Sequence, residues 1–69
     1  MIREPQIGDL LRPIVRYLSV YTVRGEVTLN SWDVGVLTYY NPDNTNIEVL
    51  CRGQVCQSSS LQWRPVGEN

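Results

Sequence analysis

The stretch that decides the fold is DVGVLTYYNPDNTNIEVLCRGQVCQS, residues 33–58. Two β-rich segments, VGVLTYY and NIEVLC, flank the turn sequence NPDNT. Proline fixes φ in that turn, and Asn and Asp tolerate the left-handed conformation and close Asx-turns. A second tight turn is expected at residues 52–55, followed by a short strand over residues 56–58. The stretch therefore predicts a three-stranded antiparallel meander.

Shorter elements are expected on both sides of this meander. Residues 7–12 predict a first strand, which ends or reaches a sheet edge at Pro13 because proline has no N–H to donate. Residues 59–62 suit a single 3₁₀ turn. A last strand is expected over residues 63–66, with Trp63 closing one end of the core.

Residues 14–30 are rich in β-branched and aromatic residues and contain one break at Arg24-Gly25. The simplest interpretation is a second hairpin that turns at residues 24–26. A helix over residues 10–21 is the alternative, because several apolar residues there follow helical spacing. The β-branched content and Pro13 favour strands.

Size and composition point to one small all-β domain over residues 1–69. The chain has no Ala, the best helix former, whereas Val, Ile and Thr supply 17 of the 69 residues. A domain this short buries only about 60% of the surface of its unfolded chain. A staple or a partner would therefore help it to stay folded.

The residue inventory argues against an enzyme. The chain contains neither His nor Lys, so it has no such side chain to activate the hydroxyls of residues 58–60. The seven carboxylates are scattered, mostly at turns, so no catalytic pair, cofactor site or metal site is predicted.

Charge and hydropathy limit the partners. The formal net charge is −1, and every cation is Arg, so a nucleic-acid partner is disfavoured. No apolar run approaches the roughly 20 residues of a membrane helix, and the N-terminus lacks the apolar segment of a signal peptide. We therefore expect a chain made in the cytoplasm with no membrane partner.

Cys51 and Cys56 would face each other if the turn were the two residues Gly53 and Gln54. Cross-strand Cβ atoms lie about 4.5–5.5 Å apart, longer than the usual ~3.8 Å of a disulfide. A disulfide is thus one hypothesis. The alternative, favoured by a cytosolic origin, is two reduced, half-buried thiols.

The order of elements from Gly8 to Trp63 resembles that of small SH3-like β-barrels: a strand, a long loop, a three-stranded meander, a 3₁₀ turn and a last strand. The segments that carry the resemblance are IGDL, DVGVLT, NIEVL, RGQV and SSSL. The chain is similar in particular to short SH3-like proteins of tailed bacteriophages, cyanophages among them. The resemblance implies an all-β, SH3-like barrel of five or more antiparallel strands. The peptide-binding signatures of signalling SH3 domains are absent, so that activity is not implied.

A five-stranded barrel does not need residues 14–30, and we expect them to form an extended β-hairpin arm in the first long loop. A projecting arm would expose strand edges and apolar side chains, which monomers avoid. Folding back as further strands of the same barrel is the alternative. Aromatic residues and Arg are enriched in interface hot spots. The predicted protein-interaction residues are Tyr17, Tyr21, Arg24, Trp32 and Tyr40.

These features together predict a non-catalytic structural or protein-interaction module of a tailed phage. The narrower expectation is a virion component, such as a capsid decoration or cement protein, made in the host cytoplasm. Its partner would be a phage capsid or other virion protein, or further copies of itself. The alternatives are a small inhibitor of a host protein and an SH3-like nucleic-acid adaptor. The adaptor would use Arg12, Arg16, Arg24, Arg52 and Arg64.

Overall fold

A computed structural model describes residues 4–67, which form seven antiparallel strands and one 3₁₀ turn. The strands are β1 Leu10–Pro13, β2 Tyr17–Thr22, β3 Gly25–Asn30, β4 Gly35–Tyr40, β5 Asn46–Cys51, β6 Gln54–Ser59 and β7 Trp63–Pro65, with the 3₁₀ turn at Ser60–Gln62. They make one sheet in the order β3-β2-β6-β5-β4-β1-β7, curled into a half-barrel. The all-β prediction is confirmed, and the described residues contain no α-helix. The finer SH3-like assignment stays a prediction.

The central meander of β4, β5 and β6 follows the sequence prediction closely. In the β4–β5 turn, the Asn41 side chain accepts a hydrogen bond from the Asp43 N–H at 2.9 Å. The Asn44 side chain likewise accepts from the Asn46 N–H at 3.0 Å. These are the Asx contacts that the turn sequence predicts. Strand β6 is longer than expected, because it pairs with all six residues of β5.

Residues 14–30 contain the predicted hairpin, but the structure incorporates it into the sheet. All six residues of β2 pair with β3, and Tyr21 of β2 is registered with Gln57 of β6. The hairpin's inner face contributes three buried residues to the core, Leu18, Val20 and Leu29. The hairpin thus folds back and covers apolar surface that a projecting arm would leave in water. Its turn lies at residues 23–24, one position earlier than predicted.

The core lies on the inner face of the curled sheet. Its buried members are Leu11, Leu18, Val20, Leu29, Leu37, Ile47, Val49, Cys51, Cys56 and Trp63. Trp63 is buried there, as the sequence predicts. Gly35 marks the tightest contact, because a Cβ at this position would overlap the Val49 side chain and lie 2.9 Å from the Leu50 carbonyl oxygen. Strand β4 therefore approaches β5 closely only with glycine at this position.

Candidate protein-interaction surface

The outer face of the sheet carries a row of exposed aliphatic side chains. Leu10 of β1 is registered with Val36 of β4, Val36 with Leu50 of β5, and Leu50 with Val55 of β6. Leu10, Leu50 and Val55 are 51%, 44% and 42% exposed. We call these four residues the outer aliphatic row. It crosses four neighbouring strands without a polar interruption.

The row arises because several strands are apolar on both faces. In β5, buried Val49 and exposed Leu50 are adjacent, and in β4 buried Leu37 follows Val36. Strands covered on both faces show such continuous apolar runs, whereas strands with one solvated face alternate. Sequence reasoning did not assign these residues to a site. The uninterrupted runs in β4 and β5 were the signal that could have indicated it.

Two arginines flank the outer aliphatic row on one side. Arg12, two residues beyond Leu10 on β1, is registered with Arg64 of β7. The Arg12 Nε is buried and has no hydrogen-bond partner among the described residues. Neighbouring guanidinium groups repel each other and leave donors for an acidic group. This side of the row therefore suits a negatively charged neighbour.

A second row borders the opposite side, two residues further along β5 and β6 and three along β4, where the register shifts between Leu37 and Tyr39. Tyr39 of β4 is registered with Glu48 of β5, Glu48 with Gln57 of β6, and Gln57 with Tyr21 of β2. Both tyrosines are exposed. We call these four residues the tyrosine row. It lines a cleft of about 560 Å³ between β2 and β6.

An ion pair joins the loop before β4 to the β5–β6 turn. The Arg52 guanidinium donates to the Asp33 carboxylate through Nη2 at 2.7 Å and through Nε at 3.1 Å. Asp33 also accepts from the Asn30 N–H at 2.7 Å. Burial raises the pKa of the Asp33 carboxyl, but the Asn30 hydrogen bond and Arg52 outweigh it, so the pKa lies below its ordinary value of 3.8. Arg52 is thus engaged within the chain.

The two cysteines are free and buried on the inner face. The expected direct pairing was wrong, because Cys51 is registered with Gln54 and Cys56 with Val49. The two-residue turn consists of Arg52 and Gly53, at φ 54° and 76°, and the favoured type I′ turn needs positive φ at both positions. Burial is the main cause that raises the pKa of both thiols above 9.0. Buried thiols of raised pKa are poor nucleophiles.

The predicted interaction residues do not form a single surface. Tyr17 and Tyr21 are exposed on the outer face of β2, and Arg24 lies in the β2–β3 turn. Trp32 is 69% exposed in the loop between β3 and β4. Tyr40 instead packs against the core. Its neighbour Tyr39 is the exposed member of the pair, so the structure gives Tyr40 a packing role.

The arginines of the adaptor alternative are likewise dispersed. Arg12 and Arg64 are neighbours, Arg52 pairs with Asp33, and Arg24 lies in a turn. Over residues 4–67 there is no group of three or more His, Cys, Asp or Glu side chains that could hold a metal ion. No helix within that range is long and apolar enough to cross a membrane.

Comparisons of the chain with protein-family models, curated protein sequences and solved structures give no match. The resemblance to SH3-like phage proteins accordingly stays a hypothesis. A function for this chain is therefore inferred from the surface chemistry of residues 4–67.

Proposed function

We propose that this chain is a non-catalytic interaction module that docks on a larger protein through the outer aliphatic row. One observation carries the proposal: four aliphatic side chains lie in register across four strands on the face away from the core. Contiguous exposed apolar surface of this kind marks protein–protein contacts more than scattered apolar residues do. Covering the row would also stabilise a fold whose single core is small.

The flanking residues specify the partner's chemistry. The partner presents an apolar surface to the row and carboxylates opposite Arg12 and Arg64. Arg64 is exposed, so its guanidinium is open to such an acidic contact. Charge complementarity at the rim of an apolar contact contributes mainly to specificity and to the rate of association.

The narrower form of the proposal is a virion component of a tailed phage, such as a capsid decoration or cement protein. The resemblance to phage SH3-like proteins supports it, and so does the benefit that a small domain gains from docking on a large assembly. Purification of particles from the source tests this form. Finding the protein in the cytosol but not in the particles would refute this form of the proposal.

The docking surface is tested by Leu50→Glu in the tagged full-length chain expressed in its source. A charge at the centre of an apolar contact is expected to weaken binding about a hundredfold. Wild-type protein should sediment with an assembly far larger than its own 7.9 kDa, and the variant should sediment as the free chain. Circular dichroism and the urea midpoint should match between the two, because Leu50 lies outside the core.

Thr28→Glu is the matched control, since Thr28 is exposed on β3 and lies outside the row. It adds the same charge and should leave sedimentation unchanged. Three results would overturn the proposal: a monomeric wild-type chain in native extract, equal sedimentation of wild type and Leu50→Glu, or an assembly that nuclease or moderate salt disperses. The last would indicate the nucleic-acid adaptor instead.

A further inference from the structure

The cleft between β2 and β6 exists because these neighbouring strands diverge. Their registered pairing is confined, within residues 4–67, to Tyr21 with Gln57. Continued antiparallel pairing would bring Ser19 opposite Ser59, yet no registered pair joins them. Strand β6 instead turns into the 3₁₀ segment, where the Ser60 N–H donates to the Thr45 carbonyl oxygen at 2.8 Å. The sheet therefore opens at this point.

The cleft is lined mainly by neutral polar groups. Its hydroxyl and amide side chains come from Ser19, Asn46, Gln57, Ser58, Ser59 and Gln62. Among residues 4–67, Glu48 supplies the one carboxylate of the lining and no Arg lies in it. Buried Leu18 and Ile47 supply an apolar base. The set offers both donors and acceptors, with little net charge.

Two exposed tyrosine rings stand at the ends of the tyrosine row. Tyr39 and Tyr21 are separated by β5 and β6, so their backbones lie three strand spacings apart, about 14 Å along the sheet. Glu48 and Gln57 lie between them and present planar polar groups. A ligand that follows the row therefore meets an aromatic face at each end and hydrogen-bonding groups in the middle.

We propose that this cleft binds a neutral oligosaccharide, with Tyr21 and Tyr39 packing against sugar rings and Glu48 and Gln57 bonding to hydroxyl groups. A sugar ring presents C–H groups on its faces, which suit an aromatic surface, and hydroxyls around its edge, which both donate and accept. The cleft volume of about 560 Å³ falls in the roughly 300–1,000 Å³ range of small-molecule sites. The span between the tyrosines suits two or three sugar units.

The lining disfavours other ligand classes. Phosphate and sulfate groups are recognised by Arg, Lys or backbone N–H clusters, and the part of the chain that the structure describes places no cationic side chain in the cleft. A purely apolar ligand would leave the hydroxyl and amide groups unpaired, at a cost in free energy. A peptide strand could add to the diverging edges of β2 and β6. The two separated aromatic rings and the hydroxyl-rich walls favour the saccharide, and the peptide becomes an outcome of the test.

The test is a ¹⁵N-resolved NMR titration of the full chain with cellotriose, maltotriose and chitotriose at millimolar concentrations. At least one trisaccharide should shift amide signals on β2, β5 and β6 around the tyrosine row. Tyr21→Ala and Tyr39→Ala should each weaken that binding about tenfold. Tyr17→Ala is the matched control, because Tyr17 lies on the same strand and face as Tyr21, is equally exposed and does not line the cleft.

The inference is independent of the proposed docking function, and Leu50→Glu should leave saccharide binding intact. No shift with any of the three trisaccharides would overturn it. Equal weakening by Tyr17→Ala would also overturn it, as would tighter binding of a heparin oligosaccharide than of the neutral sugars. An extended peptide that shifts the same amides while the sugars do not would replace the saccharide with a strand partner.

Discussion

The inner and outer faces of the sheet each carry a row of apolar side chains, but the inner row is buried and the outer row is in contact with solvent. On the inner face, Leu37 of β4 is registered with Val49 of β5, and Val49 with Cys56 of β6, and all three are fully buried. One position along the same strands, Val36, Leu50 and Val55 belong to the outer aliphatic row; Val36 is half-buried and the other two are exposed. The same three strands thus present apolar side chains on both faces.

This difference in burial distinguishes residues that stabilise the fold from residues that remain accessible at the surface. The inner row gains its stability from removal of apolar surface from water, roughly 25 cal/mol per Å². The outer row gains much less of this in the free chain, because its side chains stay in contact with solvent. In the proposed function, a partner protein would cover this row.

The largest expected effect comes from truncation of the inner row. Leu37→Ala should lower the free energy of unfolding by about 3 kcal/mol, because it leaves a cavity. The chemically identical Leu50→Ala on the outer row should change it by less than about 0.5 kcal/mol. Urea unfolding followed by tryptophan fluorescence measures both. If Leu37→Ala fails to fold, Ile47→Val serves at an expected cost of about 1 kcal/mol. Equal costs for the two leucines would contradict the distinction between the faces.

Gly35→Ala should have the next largest effect. The added methyl would point to the inner face, where it overlaps Val49 and approaches the Cys51 Cβ to 3.1 Å. We expect a loss of about 2 kcal/mol from the resulting strand displacement. Val36→Ala, one position along on the outer face, is the control, and its effect should stay near the measurement error. A harmless Gly35→Ala would show that β4 and β5 can separate without cost.

Among the three test substitutions, Asp33→Asn should have the smallest effect, about 1 kcal/mol at neutral pH, because Arg52 is 42% exposed and water screens the pair. The folded pKa of Asp33 lies below its ordinary 3.8, so the stabilisation is present above that value. It is lost as the pH falls through the lower, folded pKa. Chemical denaturation of both proteins across this range measures the difference between them. A difference that grows in acid would contradict the assignment.

The turns were predictable from sequence where the determining contacts are local. In the β4–β5 turn, Asn41 and Asn44 bond to N–H groups two residues away, so the sequence alone indicates the turn. The β5–β6 turn was also predicted, but its two central residues are Arg52 and Gly53, one position before the predicted Gly53 and Gln54. Arg52 adopts a positive φ, which residues with a Cβ rarely do, and this one-residue shift moves Cys56 from opposite Cys51 to opposite Val49.

The candidate surfaces could not be predicted in the same way, because each one combines residues from distant strands. Leu10 and Val55 belong to one row only because the strand order places β4 and β5 between β1 and β6. The cleft depends on where β2 leaves β6 after Tyr21, which no local pattern encodes. The predicted residues Tyr17 and Tyr21 are exposed, but Tyr40 has its side chain against the core.

The sequence by itself determined an all-β chain, the central meander and the position of its β4–β5 turn, because β-branched content and turn chemistry act over a few residues. Only the tertiary structure decided that the hairpin of residues 17–30 joins the sheet, because burial of Leu18, Val20 and Leu29 depends on the strands they meet. It also decided which apolar residues remain outside. The alternation of side chains fixes two faces for each strand, but the curl of the sheet selects the face that becomes the core.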